Sequence, residues 1–364
     1  MEKEVRLMKG NEVIAEAAVR YGCDGYFGYP ITPQSEVMES LMEMKPWETT
    51  GMVVVQAESE VASINMVYGG AACGKRVMTS SSSPGISLMC EGISYIAGAS
   101  LPCLIVNVQR GGPGLGTIQP SQSDYFQATK GGGHGDYHLI ALAPNSVQEM
   151  YDFVGLGFDL AFKYRVPAMM LADGVIGQMM EKVVLDDPRP RRTDEQIEQE
   201  CGDWALTGKK KERQRHVITS LELDPYAQEV VNEKLQATYR LIEANEVRYQ
   251  TTATEDADYL LVAYGSSARI CAKVVEMARE AGYKVGLLRP ITLWPFPGKP
   301  IAELAGQVKG ILSVELNSGQ MIEDVRLAVN GRVPVEHYGR MGGVVYSPGE
   351  VFEALKEKII NKTK

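Results

Sequence analysis

The chain of 364 residues carries 23% charged and 45% apolar residues and a formal net charge of -9. Such a length suggests about two domains, each large enough to bury a sizeable core. No apolar run approaches the roughly 20 residues of a membrane span, and the negative charge argues against a protein that tracks nucleic-acid phosphates, so neither a membrane nor a nucleic acid is expected as partner.

The first residues, Met1 to Arg6, are charged with no apolar core behind them, which argues against a signal peptide. The basic cluster from Lys209 to Arg215 is interrupted by Glu212 and Gln214 and reads as solvated surface. Cys23, Cys73, Cys90, Cys103, Cys201 and Cys271 are scattered with no CxxC pair. They are expected to be core thiols in a reducing compartment, the cytoplasm. No metal-ligand spacing is present, so any iron-sulfur cluster must sit on another chain.

In chain order, the pattern over 11–22 predicts a helix stopped by Gly22. A strand over 25–29 runs into Tyr29-Pro-Ile-Thr-Pro33, whose two prolines fix two φ angles and remove two donors. The turn should be a stiff ligand platform, placed after a strand where open α/β sheets bind. Next are expected a buried strand over 51–55, a helix over 58–74, a strand over 76–79, a loop over 80–85 and a helix over 86–99. The strongly apolar 102–108 should be a central strand, with Arg110 at its carboxyl end.

The runs Gly111-Gly-Pro-Gly-Leu-Gly116 and Gly131-Gly-Gly-His-Gly135 bracket a polar stretch expected to be a long loop. A strand over 139–143, a helix over 146–163 and a strand over 167–171 close a first domain, bounded at 1–185. From 186 to 254 the composition turns charged and polar, giving a linker that opens with Asp187-Pro-Arg-Pro-Arg-Arg192 and holds a long helix over 224–248. Strands over 258–264, 284–288 and 310–315 with a helix over 268–281 build a smaller domain over 255–364, in which Leu293-Trp-Pro-Phe-Pro297 reads as a rigid exposed turn. The alternation predicts an α/β protein with a doubly wound parallel sheet and a second α/β domain.

Gln56-Ala-Glu-Ser-Glu60 opens a helix in which Val61, Ala62, Ile64, Met66 and Val67 are all apolar. A carboxyl on the inner face of such a helix would be desolvated, and in its neutral form it can donate a hydrogen bond. The plain alternative is that Glu58 and Glu60 occupy a first turn, where the helix dipole favours acids by roughly 0.3 to 1 kcal/mol. For Thr32 the alternative is a turn hydroxyl bonded to its own backbone, and for Arg110 a surface ion pair. Two glycine motifs fail as nucleotide sites. Gly69 to Lys75 ends a helix instead of opening one and has Arg76 where a Ser or Thr should hold magnesium, and Gly112 to Gly116 has its third glycine misplaced. His134 and His138 lack an acidic or thiol neighbour at metal spacing and are expected to face solvent or substrate.

Tyr29-Pro-Ile-Thr-Pro33, Glu60-Val-Ala-Ser63, Thr79-Ser-Ser-Ser-Ser-Pro-Gly85 with Leu88-Met-Cys-Glu-Gly92, and Gln122-Ser-Asp124 occur in this order. As an ordered set they resemble the alpha subunits of the 2-oxoacid:ferredoxin oxidoreductases, over essentially the whole chain, and within them those acting on branched-chain 2-oxoacids. The resemblance implies a pyrimidine-type thiamine diphosphate-binding domain over 1–185, a linker with a long helix over 186–254 and a transketolase C-terminal-like domain over 255–364. It implies that Glu60 hydrogen-bonds the cofactor's aminopyrimidine ring and drives it toward the tautomer that removes the thiazolium proton, with Pro30 and Ile31 also against the cofactor. Thr32 would contact the substrate's carboxylate or keto oxygen, and Arg110 would pair with the carboxylate. Further implications are a beta subunit holding the diphosphate and Mg2+, gamma- and delta-type subunits with the iron-sulfur clusters, and coenzyme A and ferredoxin as co-substrates. Pyruvate or 2-oxoglutarate as substrate, or a non-catalytic scaffold, are the alternatives. The glycine-rich run after Arg110 departs from the family's pattern and leaves the shape of the substrate pocket open.

Overall fold

The computed structural model of the protein describes residues 3–209 and 215–363, so most of the 209–215 cluster lies outside the described residues. Among these residues the larger sheet has seven strands, in the order Thr292–Trp294, Ile140–Leu142, Ala168–Asp173, Leu104–Gln109, Val77–Ser81, Gly25–Gly28 and Val53–Gln56. All neighbours are parallel except the first pair. Leu104–Gln109 is the middle strand and is buried throughout, as an apolar run with sheet on both sides demands.

The chain leaves Gly25–Gly28 for the edge strand Val53–Gln56, then returns to the other side as Val77–Ser81. The direction of winding therefore reverses between Gly25–Gly28 and Val77–Ser81. The segments leaving those two strands, 29–34 and 82–85, flank the crevice where open sheets of this kind take ligands.

A five-stranded sheet, Val335–Gly339, Gly310–Glu315, Tyr259–Val262, Val285–Pro290 and Tyr249–Thr252, is parallel but for its last strand. A two-stranded antiparallel ribbon joins Glu4–Lys9 to Met180–Leu185. The segments leaving the carboxyl ends of both sheets meet at the fully buried Gln122. Its side-chain oxygen accepts from Ser267 Oγ at 2.6 Å and Leu316 N at 3.1 Å, and its Nε2 donates to Tyr264 O at 2.9 Å. Its backbone carbonyl accepts from Asn317 Nδ2 at 2.7 Å and Tyr264 Oη at 3.0 Å, and its N–H donates to Leu316 O.

Several expectations are corrected. Val53–Gln56 is an edge strand and not a buried one, with Val53 48% exposed, because the sheet ends there. Leu293 and Trp294 do not form an exposed turn. They lie in a strand that pairs antiparallel with Ile140–Leu142, and both are buried. The Trp294 ring stacks on His138 with centroids 4.6 Å apart, and burial holds that imidazole below its ordinary value, so His138 is a packing residue instead of a solvent-facing one. The loop expected between the glycine runs contains a short helix, Tyr125–Thr129. Ser80 and Ser81 belong to a strand, and the next helix begins at Ser83, three residues early, with Pro84 in its first turn. Residues 186–254 are more than a linker, since they hold a second helix, Asp194–Cys201, capped by Thr193, and the strand Tyr249–Thr252. Among the described residues no helix is long and apolar enough to cross a membrane.

The helix Pro225–Asn245 is tied down at its carboxyl end by Glu246, whose carboxylate receives Lys163 Nζ at 2.7 Å, Tyr164 Oη at 2.6 Å and Arg248 Nη1 at 2.7 Å. Burial opposes ionisation, but these three hydrogen bonds outweigh it and hold the carboxyl at about 2, against an ordinary 4.5. A depressed carboxyl contributes stability that is present above about 4.5 and lost as the pH falls toward about 2. Glu246→Gln should therefore cost roughly 2 to 3 kcal/mol at neutral pH in denaturant unfolding. The gap to the wild type should close between those two pH values, and a gap constant down to the lower one would contradict the assignment.

Candidate functional site

The helix Glu60–Ala72 begins at Ser59, whose Oγ accepts from Ala62 N at 3.2 Å. This cap sets Glu60 in the first turn, where its side chain is folded inward and only 6% of the residue is exposed. The opposing helix Ser83–Gly98 starts at the same level, and here the absence of a side chain is required. A Cβ on Gly85 would lie 2.0 Å from Ser81 Oγ and 2.8 Å from Glu60 Oε1. The Glu60 carboxylate thus lies close to the bare backbone of Gly85. Val61 and Met66 of that helix are exposed, as is Leu88 of the next.

No described group donates a hydrogen bond to the Glu60 carboxylate. The hydroxyls of Thr79 in the middle of the strand Val77–Ser81, of Ser81 at its end and of Ser82 just after it are fully buried and likewise have no partner among the described residues. Buried polar atoms are normally satisfied, so a wall of open ones marks a surface that awaits polar groups from elsewhere.

The turn after Gly25–Gly28 is pinned from below. Gln34 is buried and receives Ser80 Oγ at 2.5 Å, Ser80 also meets Tyr26 Oη at 2.7 Å, and the Pro33 carbonyl accepts from Asn11 Nδ2 at 2.6 Å. Pro30 and Thr32 are exposed at the rim and Ile31 is half-buried. The Thr32 hydroxyl makes no bond to its own backbone.

Arg110, 6% exposed, forms no ion pair among the described residues, which overturns the surface-pair alternative. Its Nη1 donates to Thr32 O at 3.0 Å and its Nη2 to Leu115 O at 3.1 Å, while Nε is buried without a partner. The guanidinium therefore fastens the 111–119 loop to the proline turn. That loop closes on itself through Gly111 N to Gln119 O and Thr117 N to Gly111 O. Gly116, at φ +62°, has no room for a side chain because a Cβ would lie 1.9 Å from Gly111 O.

Pro30, Ile31, Thr32, Glu60 and Arg110 thus all lie on segments that follow the carboxyl ends of strands of the larger sheet, and Arg110 is bonded directly to the Thr32 carbonyl. Compared with known proteins, the chain matches the thiamine diphosphate-binding region of the pyruvate flavodoxin/ferredoxin oxidoreductases over residues 16–247 and the pyruvate:ferredoxin oxidoreductase core domain II over 257–351. It belongs to the pyruvate flavodoxin/ferredoxin oxidoreductase family. Ketoisovalerate oxidoreductase subunit VorB of Methanothermobacter marburgensis is 49% identical over 97% of both chains. The 2-oxoglutarate synthase subunit KorA of the same organism is 35% identical over 97% of this chain and 98% of its own. Among solved structures, 2-oxoglutarate:ferredoxin oxidoreductase from Magnetococcus marinus superposes with a TM-score of 0.85 at 27% identity, covering 98% of this chain and 65% of that one. A split-gene transketolase, at TM-score 0.62 and 11% identity, shares the fold alone.

This family member also carries residues at the site that sequence reasoning did not assign. Asp124 accepts Ser83 Oγ at 2.6 Å and Asn107 Nδ2 at 2.9 Å, and its N–H donates to Gln109 Oε1 at 3.0 Å. Burial pushes its carboxyl above the ordinary value, against the pull of the Ser83 and Asn107 hydrogen bonds. Asn107 and Gln109 are two apart in an otherwise apolar strand and so point to one face. That pair of polar residues was the available signal. Two cavities flank the 111–120 loop, one of about 510 Å³ lined by Ser83 and Asp124 and one of about 580 Å³ lined by Thr32 and Ile118. Among the described residues no group of three or more His, Cys, Asp or Glu is arranged to hold a metal ion.

The close approach at Gly85 is testable without substrate. Gly85→Ala should destabilise the protein by about 1 to 3 kcal/mol, because both Ser81 and Glu60 must move. An unchanged denaturation midpoint would show that the Glu60 carboxylate is not held where the structure puts it.

Proposed function

We propose that this chain is the alpha-type subunit of a thiamine-dependent 2-oxoacid:ferredoxin oxidoreductase, converting a branched-chain 2-oxoacid, coenzyme A and oxidised ferredoxin to acyl-CoA, carbon dioxide and reduced ferredoxin. The observation that carries it is the inward-turned Glu60 carboxylate, 6% exposed, beside the sheet's reversal point and with no hydrogen-bond donor among the described residues. Beside it stands a row of buried hydroxyls without partners. These residues fit the pyrimidine half of thiamine diphosphate. When bound, that cofactor supplies the nucleophilic carbon that attacks the 2-oxo group.

Glu60 would share a proton between its carboxyl oxygen and the aminopyrimidine ring, in a crevice from which Pro30 and Ile31 keep water. Thr32, with a free hydroxyl at the rim, would hold the keto oxygen or carboxylate. Arg110 would exchange its two carbonyl partners for the substrate carboxylate, a change from neutral to charged acceptors that a planar guanidinium can make.

The pyrimidine-binding part is assigned to 1–185, the connector to 186–254 and the transketolase C-terminal-like part to 255–364, although Thr292–Trp294 crosses to the larger sheet. The exposed Val61, Met66 and Leu88 beside Glu60 fit burial against a beta subunit that brings the diphosphate and Mg2+. Gamma- and delta-type subunits would carry the iron-sulfur clusters and meet ferredoxin. All six cysteines are free, as suits a cytoplasmic protein.

A branched-chain acid is favoured because the ketoisovalerate subunit is 49% identical and the 2-oxoglutarate subunit 35%. In the assembled complex, Glu60→Gln should lower viologen reduction by about 10²- to 10⁴-fold at unchanged assembly. Full turnover would make the chain a scaffold. Among three acids, 2-oxoisovalerate should have the highest kcat/KM, and a preference for 2-oxoglutarate would overturn the substrate assignment.

A further inference from the structure

We infer that Asp124 is a positioning residue for substrate binding, acting through the Ser83 hydroxyl on Arg110. The inference rests on the reading of Arg110 as the carboxylate-binding residue and adds how that residue is set.

The Ser83 hydroxyl has one proton and two acceptors within reach, Asp124 Oδ2 at 2.6 Å and the Arg110 carbonyl at 3.2 Å. The carboxylate is the nearer and the stronger acceptor, so the proton points to it and the oxygen lone pair turns to the Arg110 N–H, 3.1 Å away. A directed chain results, from Arg110 N–H through Ser83 to Asp124. Take the carboxylate away and the Ser83 proton turns to the Arg110 carbonyl, leaving the N–H of a 6% exposed residue with a rotated acceptor.

Asp124 is itself held on three sides. Asn107 Nδ2 bonds the same oxygen, Gln109 accepts the Asp124 N–H, and the Gln122 seam fixes the backbone two residues before it. Asn107 and Gln109 come from the strand that Arg110 directly follows, so the network returns to its starting point and ties the arginine backbone to the strand before it. Its other oxygen, Oδ1, takes no hydrogen bond among the described residues, and Asp124 lines the cavity of about 510 Å³ together with Gly111 and Gly112. The guanidinium and the 111–119 loop both hang from this one backbone unit. A rotation there swings Nη1 and Nη2 away from the proline turn.

The test is steady-state kinetics of the assembled complex with 2-oxoisovalerate and viologen, comparing Asp124→Ala, Ser83→Ala, the double variant, Asp124→Asn and Arg110→Ala. Asp124→Ala and Ser83→Ala should each raise KM about tenfold, the size expected for losing a hydrogen bond to a charged acceptor. The double variant should be no worse than either single one, because both break the same chain. Asp124→Asn, which keeps an acceptor for Ser83 and Asn107, should recover most of the loss. A merely structural defect lowers the active fraction and hence kcat, leaving KM in place.

If Arg110→Ala raises KM while neither Asp124→Ala nor Ser83→Ala does, the inference fails and the reading of Arg110 stands. Additive effects of the two single substitutions, or an Asp124→Asn as impaired as Asp124→Ala, also overturn it. A KM unchanged by Arg110→Ala sinks the reading of Arg110 and the inference with it.

Discussion

A single buried amide decides how the two sheets of this protein face each other. Gln122 is fully enclosed, and its backbone and side chain are bonded to Tyr264, Ser267, Leu316 and Asn317 from the C-terminal part and, through Nε2, to Asp173 of the larger sheet. An orphaned buried polar group costs about 1 to 3 kcal/mol, so sliding one sheet against the other by a single register would strand several at once. Asp173, at the end of another strand of the larger sheet, adds to the seam by accepting Ser266 Oγ at 2.6 Å. Because residues 121–124 are clamped between the sheets, the segment that follows Arg110 has one end on a central strand and the other on the seam. Its path across the crevice is fixed from both sides.

The saturation of that seam contrasts with the crevice beside it. There Thr79, Ser81 and Ser82 keep buried hydroxyls without partners, as do Asn107 Oδ1 and Arg110 Nε. A protein able to surround Gln122 with partners so completely had the means to close these as well. Unpartnered buried hydroxyls on and just after one strand, together with a carboxylate that takes no hydrogen bond among the described residues, are the expected form of a surface whose complement arrives from outside the chain. The exposed Val61 and Met66 on the Glu60 helix and Leu88 on the helix that opposes it add apolar surface to the same two elements.

Much of this was legible in the residues. The strongly apolar stretch ending at Val108 could only be a central strand, and the apolar residues after Glu60 announced the helix that places it. What stayed hidden depended on partners far away in the chain. Thr292–Trp294 pairs with a strand about 150 residues earlier, and the prolines that follow it argued for a turn, so burial of Trp294 had no local signature. Gly85 read as a loop glycine in a serine-rich stretch, whereas it is needed because two side chains meet where its Cβ would be. The partners of Arg110 are backbone carbonyls, which every residue owns, and no sequence pattern can announce them.

Those carbonyls also explain why an arginine stands at this position in a chain without its substrate. A lysine ammonium is a compact charge that could satisfy one carbonyl well, but Thr32 and Leu115 lie on different segments and need donors spread in a plane. The guanidinium spans them, and so the same fork that suits a carboxylate also ties down the turn and the glycine loop beforehand. Holding the loop costs little, since the carbonyls are neutral acceptors that a charged one can replace. The glycines at 111, 112, 114 and 116 leave that loop free to follow, and Leu115, 82% exposed, marks how little packing would hold it once the arginine lets go.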